Sequence, residues 1–67
     1  MNAKENHIRE YRIKRGWTQE KLARRIRVNP ALFARYEEGT EDPPVDICIY
    51  LCVVLDADPQ ELFGWGK

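Results

Sequence analysis

Apolar residues recur along this chain at steps of three and four and never in a sustained two-residue alternation, so the pattern predicts helices and no strand. Five segments emerge, each bounded by a capping or breaking residue. The first runs from about Glu5 to Arg15, with Ile8 and Tyr11 one turn apart on its apolar face, and Gly16 ends it. Thr18 is an N-cap type for the second, Gln19 to about Arg25, where Leu22, Ala23 and Ile26 form the inward stripe and the outer face is strongly basic. After a short break at Arg27 and Val28, Asn29 and Pro30 supply a cap and a first-position proline for a third helix. It runs to about Glu37 and closes at Gly39. Beyond a loop over 40–44, Val45 to Leu55 is apolar almost all round, as a helix buried on several sides would be. Asp58, Pro59 and Glu61 then give a cap, a first-position proline and a capping-box acid for a short last helix ending at Phe63 and Gly64.

The length bounds what these helices can build. Sixty-seven residues suffice for one domain with one modest core, which predicts a compact all-α, five-helix domain over 1–67 with no second domain to hold a substrate. Neither a bilayer-length apolar run nor a signal-peptide pattern is present, so the expected location is the cytoplasm. Cys48 and Cys52 stand four apart in the apolar segment and the single histidine, His7, is remote from them. That is too few ligands for structural zinc, and both cysteines read as reduced, buried hydrophobes. No metal, cofactor or small-molecule substrate is expected. There is no Ser-His-Asp or Cys-His constellation and no phosphate-cradling glycine loop, so the chain is not expected to be an enzyme. Trp17 reads as a core residue, and His7 carries no assignable chemistry.

Charge changes this picture. The formal net charge is zero, yet residues 1–36 hold ten Lys and Arg against three Glu, a net +7, and residues 37–67 hold one Lys against eight acids, a net −7. Such polarity suits a polyanionic partner for the basic half. Neutralisation of one half by the other within the fold is the alternative, and charge alone does not choose.

Two short helices joined by a few residues must cross steeply and present the second outward, which is the helix-turn-helix plan over about 18–38. At this point the sequence resembles the lambda-repressor-like, Cro-type (XRE) helix-turn-helix family over Ile8 to Phe63. The matching text is IRE-YR in the first segment, GWTQEKLA into the second, F-RYEEG across the third, DPPVD into the fourth and LDADPQELF at the end. The resemblance implies a DNA-binding transcriptional regulator, of which a repressor is the expected kind, acting on double-stranded DNA in the nucleoid. It also implies that Gln19 meets a phosphate at the start of the second helix, and that Arg12 and Glu37 form a partly buried ion pair locking two helices together.

Rotating the third helix from the core direction set by Phe33 and Tyr36 turns Ala31 and Arg35 outward, puts Leu32 on the shoulder and leaves Asn29 at the leading end. Asn29, Ala31, Leu32 and Arg35 are therefore the candidates for base edges, and Thr18, Gln19, Lys21, Arg24 and Arg27 those for phosphates. Two features depart from the family pattern. Arg27 occupies a turn position that usually holds glycine, so either it is strained at positive φ or the turn is built differently. The outward positions Pro30, Ala31, Leu32 and Ala34 are also poor in hydrogen-bonding groups, which implies either modest specificity or readout that leans on DNA shape. Ile47, Tyr50, Val53 and Val54 with Trp65 add an apolar stripe, either an enlarged core or a dimer face, and the dimer face is the reading adopted. From a different class, the alternative is a protein-interaction module that keeps this fold without sequence-specific DNA binding.

Overall fold

In the computed structural model, which describes residues 6–64, the chain forms five helices: α1 (Ile8–Lys14), α2 (Gln19–Arg25), α3 (Pro30–Glu38), α4 (Val45–Leu55) and α5 (Pro59–Phe63). No strand occurs among the described residues. The expected start of the first helix, near Glu5, lies outside them. Within them α1 begins only at Ile8, because the Asn6 side chain accepts a hydrogen bond from the Ile8 N–H at 3.1 Å and donates to the Tyr36 carbonyl at 2.9 Å. Those two bonds hold the chain outside the helix and against α3.

Helices α1 to α4 all close in the same way. Around a left-handed residue, one N–H reaches back five residues and the preceding N–H reaches back three. The pairs are Trp17 to Arg12 with Gly16 to Ile13, Val28 to Ala23 with Arg27 to Arg24, Thr40 to Arg35 with Gly39 to Tyr36, and Ala57 to Cys52 with Asp56 to Val53. This arrangement satisfies carbonyls that a helix end leaves unpaired and turns the chain sharply back. It also carries Trp17, Val28 and Ala57 inward against the core. Short helices are marginal by themselves, so these closures and the packing below sustain them.

The core gathers Ile8 from α1, Leu22 and Ala23 from α2 with Ile26 just beyond, Phe33 and Tyr36 from α3, Cys48, Leu51, Cys52 and Leu55 from α4, and Leu62 and Phe63 from α5. Each fully buried large aliphatic or aromatic side chain contributes about 1.5–3 kcal/mol. Trp17 is half-buried against this core rather than inside it. Helix α4 differs from its expectation: it is buried along one stripe, and Val45, Ile49, Tyr50 and Val53 on the other side are exposed. Helices α1 and α5 pack against α4, and on its exposed side Tyr50 reaches α2, its hydroxyl donating to the Arg25 carbonyl at 3.4 Å. No helix among the described residues is long and apolar enough to cross a membrane.

Candidate nucleic-acid interface

The pair α2 and α3 is set by local chemistry at three points. The Thr18 hydroxyl accepts from the Lys21 N–H at 3.1 Å and starts α2. Asn29 Oδ1 accepts from the Ala31 N–H at 2.8 Å and, with Pro30 in the first position, starts α3. Between them Arg27 takes φ +60°, a left-handed conformation that glycine adopts freely and arginine only at a cost. Of the two outcomes open for this turn, the chain keeps the left-handed geometry and bears the strain.

Behind the pair lies a buried polar junction. Arg12 Nε donates to Glu37 Oε2 at 2.6 Å, Arg12 Nη2 to Glu37 Oε1 at 3.3 Å and Arg12 Nη1 to the Trp17 carbonyl at 2.7 Å. Gln19 Nε2 donates to Glu37 Oε1 at 2.9 Å. One carboxylate, its side chain only 2% exposed, thus ties α1, α2 and α3 together. A forked guanidinium suits this role because it meets both carboxylate oxygens and still has a donor for the loop carbonyl. The junction opens on a groove of about 640 Å³ lined by Arg9, Arg12, Thr18, Gln19, Glu20, Glu37 and Glu38.

Outward from the junction, Asn29, Ala31 and Arg35 are exposed along α3, while Leu32 and Ala34 are half-buried, with Leu32 packed on the core. Thr18, Lys21, Arg24 and Arg27 are exposed beside them, and Gln19 is half-buried. Two features at this surface escaped the sequence analysis. Lys21 and Arg25 both lie over the Trp17 ring, each 5.9 Å from its centre, so Arg25 joins the basic surface; its four-residue step from Lys21 was the available signal. Arg35 Nε donates to Glu41 Oε1 at 3.2 Å across the α3–α4 loop. Helical spacing carries no sign of that contact, because the left-handed Gly39 intervenes.

The remaining candidate groups sit apart. Cys48 and Cys52 are free and buried; burial pushes the Cys48 thiol up to about 11 and also raises that of Cys52. Cys48 Sγ donates to the Pro43 carbonyl at 3.5 Å. No group of three or more His, Cys, Asp or Glu among the described residues is arranged to hold a metal ion. Of the apolar stripe, Ile47 and Val54 pack against the core, Tyr50 and Val53 are exposed, and Trp65 lies outside the described residues. Val45, Ile49 and Val53 instead form an exposed row, 64%, 50% and 71% accessible, with Tyr50 beside it.

Comparison with known proteins agrees with this architecture. The family described as helix-turn-helix domain matches residues 6–63. An archaeal protein from Archaeoglobus fulgidus, described as an uncharacterized HTH-type transcriptional regulator, is 33% identical over 66 residues, which cover 90% of this chain and 94% of that protein. No solved structure matches significantly.

Proposed function

We propose a function from one premise, that this chain belongs to the helix-turn-helix domain family: it is a DNA-binding transcriptional regulator. Within that class we read residues 1–67 as a single Cro-type repressor domain that acts on chromosomal DNA in the cytoplasm and catalyses no reaction. The observation that carries this reading is the exposure of α3 alongside Lys21, Arg24 and Arg27, all solvent-facing on α2 and the turn. Helix α3 enters the major groove and the three cations meet phosphates on its flank. Thr18 and Gln19 complete the phosphate set, Gln19 through donors not committed to Glu37.

At the bases, Arg35 takes guanine, and Ala31 or Leu32 meets a thymine methyl. Asn29 uses Oδ1 to cap α3, so its Nδ2 group is the part that meets a base acceptor. The exposed row of α4 supports a homodimer. Residues four apart form a ridge that packs against the same ridge of a second copy, and a two-fold axis through Ile49 sets Val45 opposite Val53. Four side chains cover far less than the roughly 800 Å² per partner of a stable interface, so the dimer forms on DNA, across half-sites about one helical turn apart.

A second reading, a protein-interaction module, draws on the apolar shoulder of α3 at Ala31, Leu32 and Ala34. Fluorescence anisotropy with a random duplex pool at several salt concentrations, followed by sequencing of the retained DNA, separates the two. Three phosphate-bound cations give a log–log salt slope of about −3 per protomer. Salt-sensitive binding with enrichment of a two-fold-symmetric motif is the expected result. Absence of binding at low salt would replace the regulator by the interaction module.

A further inference from the structure

The Arg35–Glu41 contact has little to do with stability. Both side chains are about half exposed, 50% and 47%, and an ion pair in that setting adds little to the fold. Its geometry is nevertheless well defined. Gly39, at φ +81°, reverses the chain after α3, and the Arg35 carbonyl accepts from the N–H groups of Gly39 and Thr40 at 3.0 and 3.1 Å and from the Thr40 hydroxyl at 3.4 Å. The backbone of Arg35 therefore anchors the loop whose next residue, Glu41, holds its side chain.

Resting on the reading of α3 as the base-reading helix, we propose that Glu41 is a positioning residue for sequence readout. By accepting from Arg35 Nε, it leaves the two terminal nitrogens of the guanidinium as the pair available to a base. Guanine offers O6 and N7 side by side in the major groove, and a guanidinium meets them through two parallel N–H groups. With Nε engaged, only the end-on approach through Nη1 and Nη2 remains, so the side-on approach through Nε is blocked. The carboxylate also repels the DNA backbone, which discourages Arg35 from swinging to a phosphate. Glu41 thus gives up some sequence-independent affinity and sharpens the choice of one base pair. This matters on a surface where the other base-edge candidates of the helix itself, Ala31 and the half-buried Leu32, have no hydrogen-bonding side chain, and only Asn29 at the leading end adds one.

The test compares the parent chain, Glu41→Ala, Glu41→Gln and Arg35→Ala on three kinds of duplex: the motif enriched by the parent, its single-base variants, and random sequence. The position read by Arg35 is the one at which Arg35→Ala loses preference. Glu41→Ala should bind random duplex at least as tightly as the parent and lose on the order of fivefold discrimination at that position alone. Glu41→Gln, which keeps an oxygen to accept from Nε, should retain part of it. If Glu41→Ala tightens binding to every duplex equally, with discrimination unchanged, Glu41 is only a repelling charge and the proposal falls. If discrimination rises, the contact is a restraint that DNA must break, and the proposal also falls. A parent that binds DNA with a preference insensitive to Arg35→Ala overturns the base-reading role of Arg35, and with it this inference. Absence of DNA binding by the parent overturns the functional reading itself.

Discussion

Arg27 closes α2 at a cost in backbone strain. Its left-handed φ of +60° costs a β-carbon-bearing residue about 1–2 kcal/mol, while the closing bonds of α2 need that conformation. Asp56, left-handed at the end of α4, is a more tolerant residue type for that region, and Arg15 donates to the neighbouring Leu55 carbonyl. Arg27→Gly should therefore stabilise the chain by about 0.5–1 kcal/mol, the relief of strain less the added freedom of the unfolded glycine. A rise in the urea midpoint checks it. If Arg27 also contacts a phosphate, the same variant should bind DNA more weakly, with a salt slope shallower by about one. Unchanged stability would mean that the arginine contributes contacts offsetting its strain.

Between elements, the decisive contact is the junction of Arg12, Glu37, Gln19 and the Trp17 carbonyl. Glu37→Ala leaves a nearly buried guanidinium with a single carbonyl partner, a change that typically costs about 3–5 kcal/mol. A domain of this length has roughly 3–10 kcal/mol in all, so thermal unfolding followed by circular dichroism should show a large loss or an unfolded chain. Replacing both partners, Arg12→Met with Glu37→Leu, should recover most of it, because no uncompensated charge remains. Failure of the double variant to recover would locate the loss in the Trp17 and Gln19 contacts. Helix α4 invites a different experiment. Val53→Asp, at a site 71% exposed, should leave folding intact and abolish cooperative binding to paired half-sites, while binding to one half-site persists. Cooperativity that survives the substitution would move the dimer contact elsewhere.

Across the whole molecule, burial of the cysteines makes stability depend on alkaline pH. Below the ordinary thiol value of 9.0, Cys48 is neutral in both folded and unfolded chains and its titration does not affect the balance. Above it, the unfolded chain loses the proton while the folded chain keeps it until about 11, so stability falls as pH rises from 9 to 11. Tyr36, also raised mainly by burial, acts in the same direction above its ordinary 10.0. Urea unfolding at pH 8 and pH 10.5 should differ by on the order of 2 kcal/mol from Cys48 alone. Cys48→Ala should show a correspondingly smaller fall, and an equal fall in both chains would assign it to Cys52 and Tyr36.

The five helices were legible in the sequence because their signals are local. Thr18, Asn29 with Pro30, and Asp58 with Glu61 each act on backbone within three residues, and all three cap as their spacing predicts. The inward stripe Leu22, Ala23 and Ile26 was legible for the same reason, since helical periodicity is a property of neighbours. What needed the tertiary structure is what depends on how distant segments meet. The late start of α1 follows from an Asn6 bond to Tyr36, thirty residues on. The periodicity of α4 showed apolar residues on every side, and only packing into the common core decided that Cys48, Leu51, Cys52 and Leu55 go inside while Val45, Ile49 and Val53 stay in solvent. Glu41 reaches Arg35 only because Gly39 turns the chain back on itself. Local sequence determines which segments are helical and where the capped ones, α2, α3 and α5, begin, because a cap acts within three residues. The start of α1 and the choice of which faces stay in solvent are settled by contacts between distant segments competing for a small core.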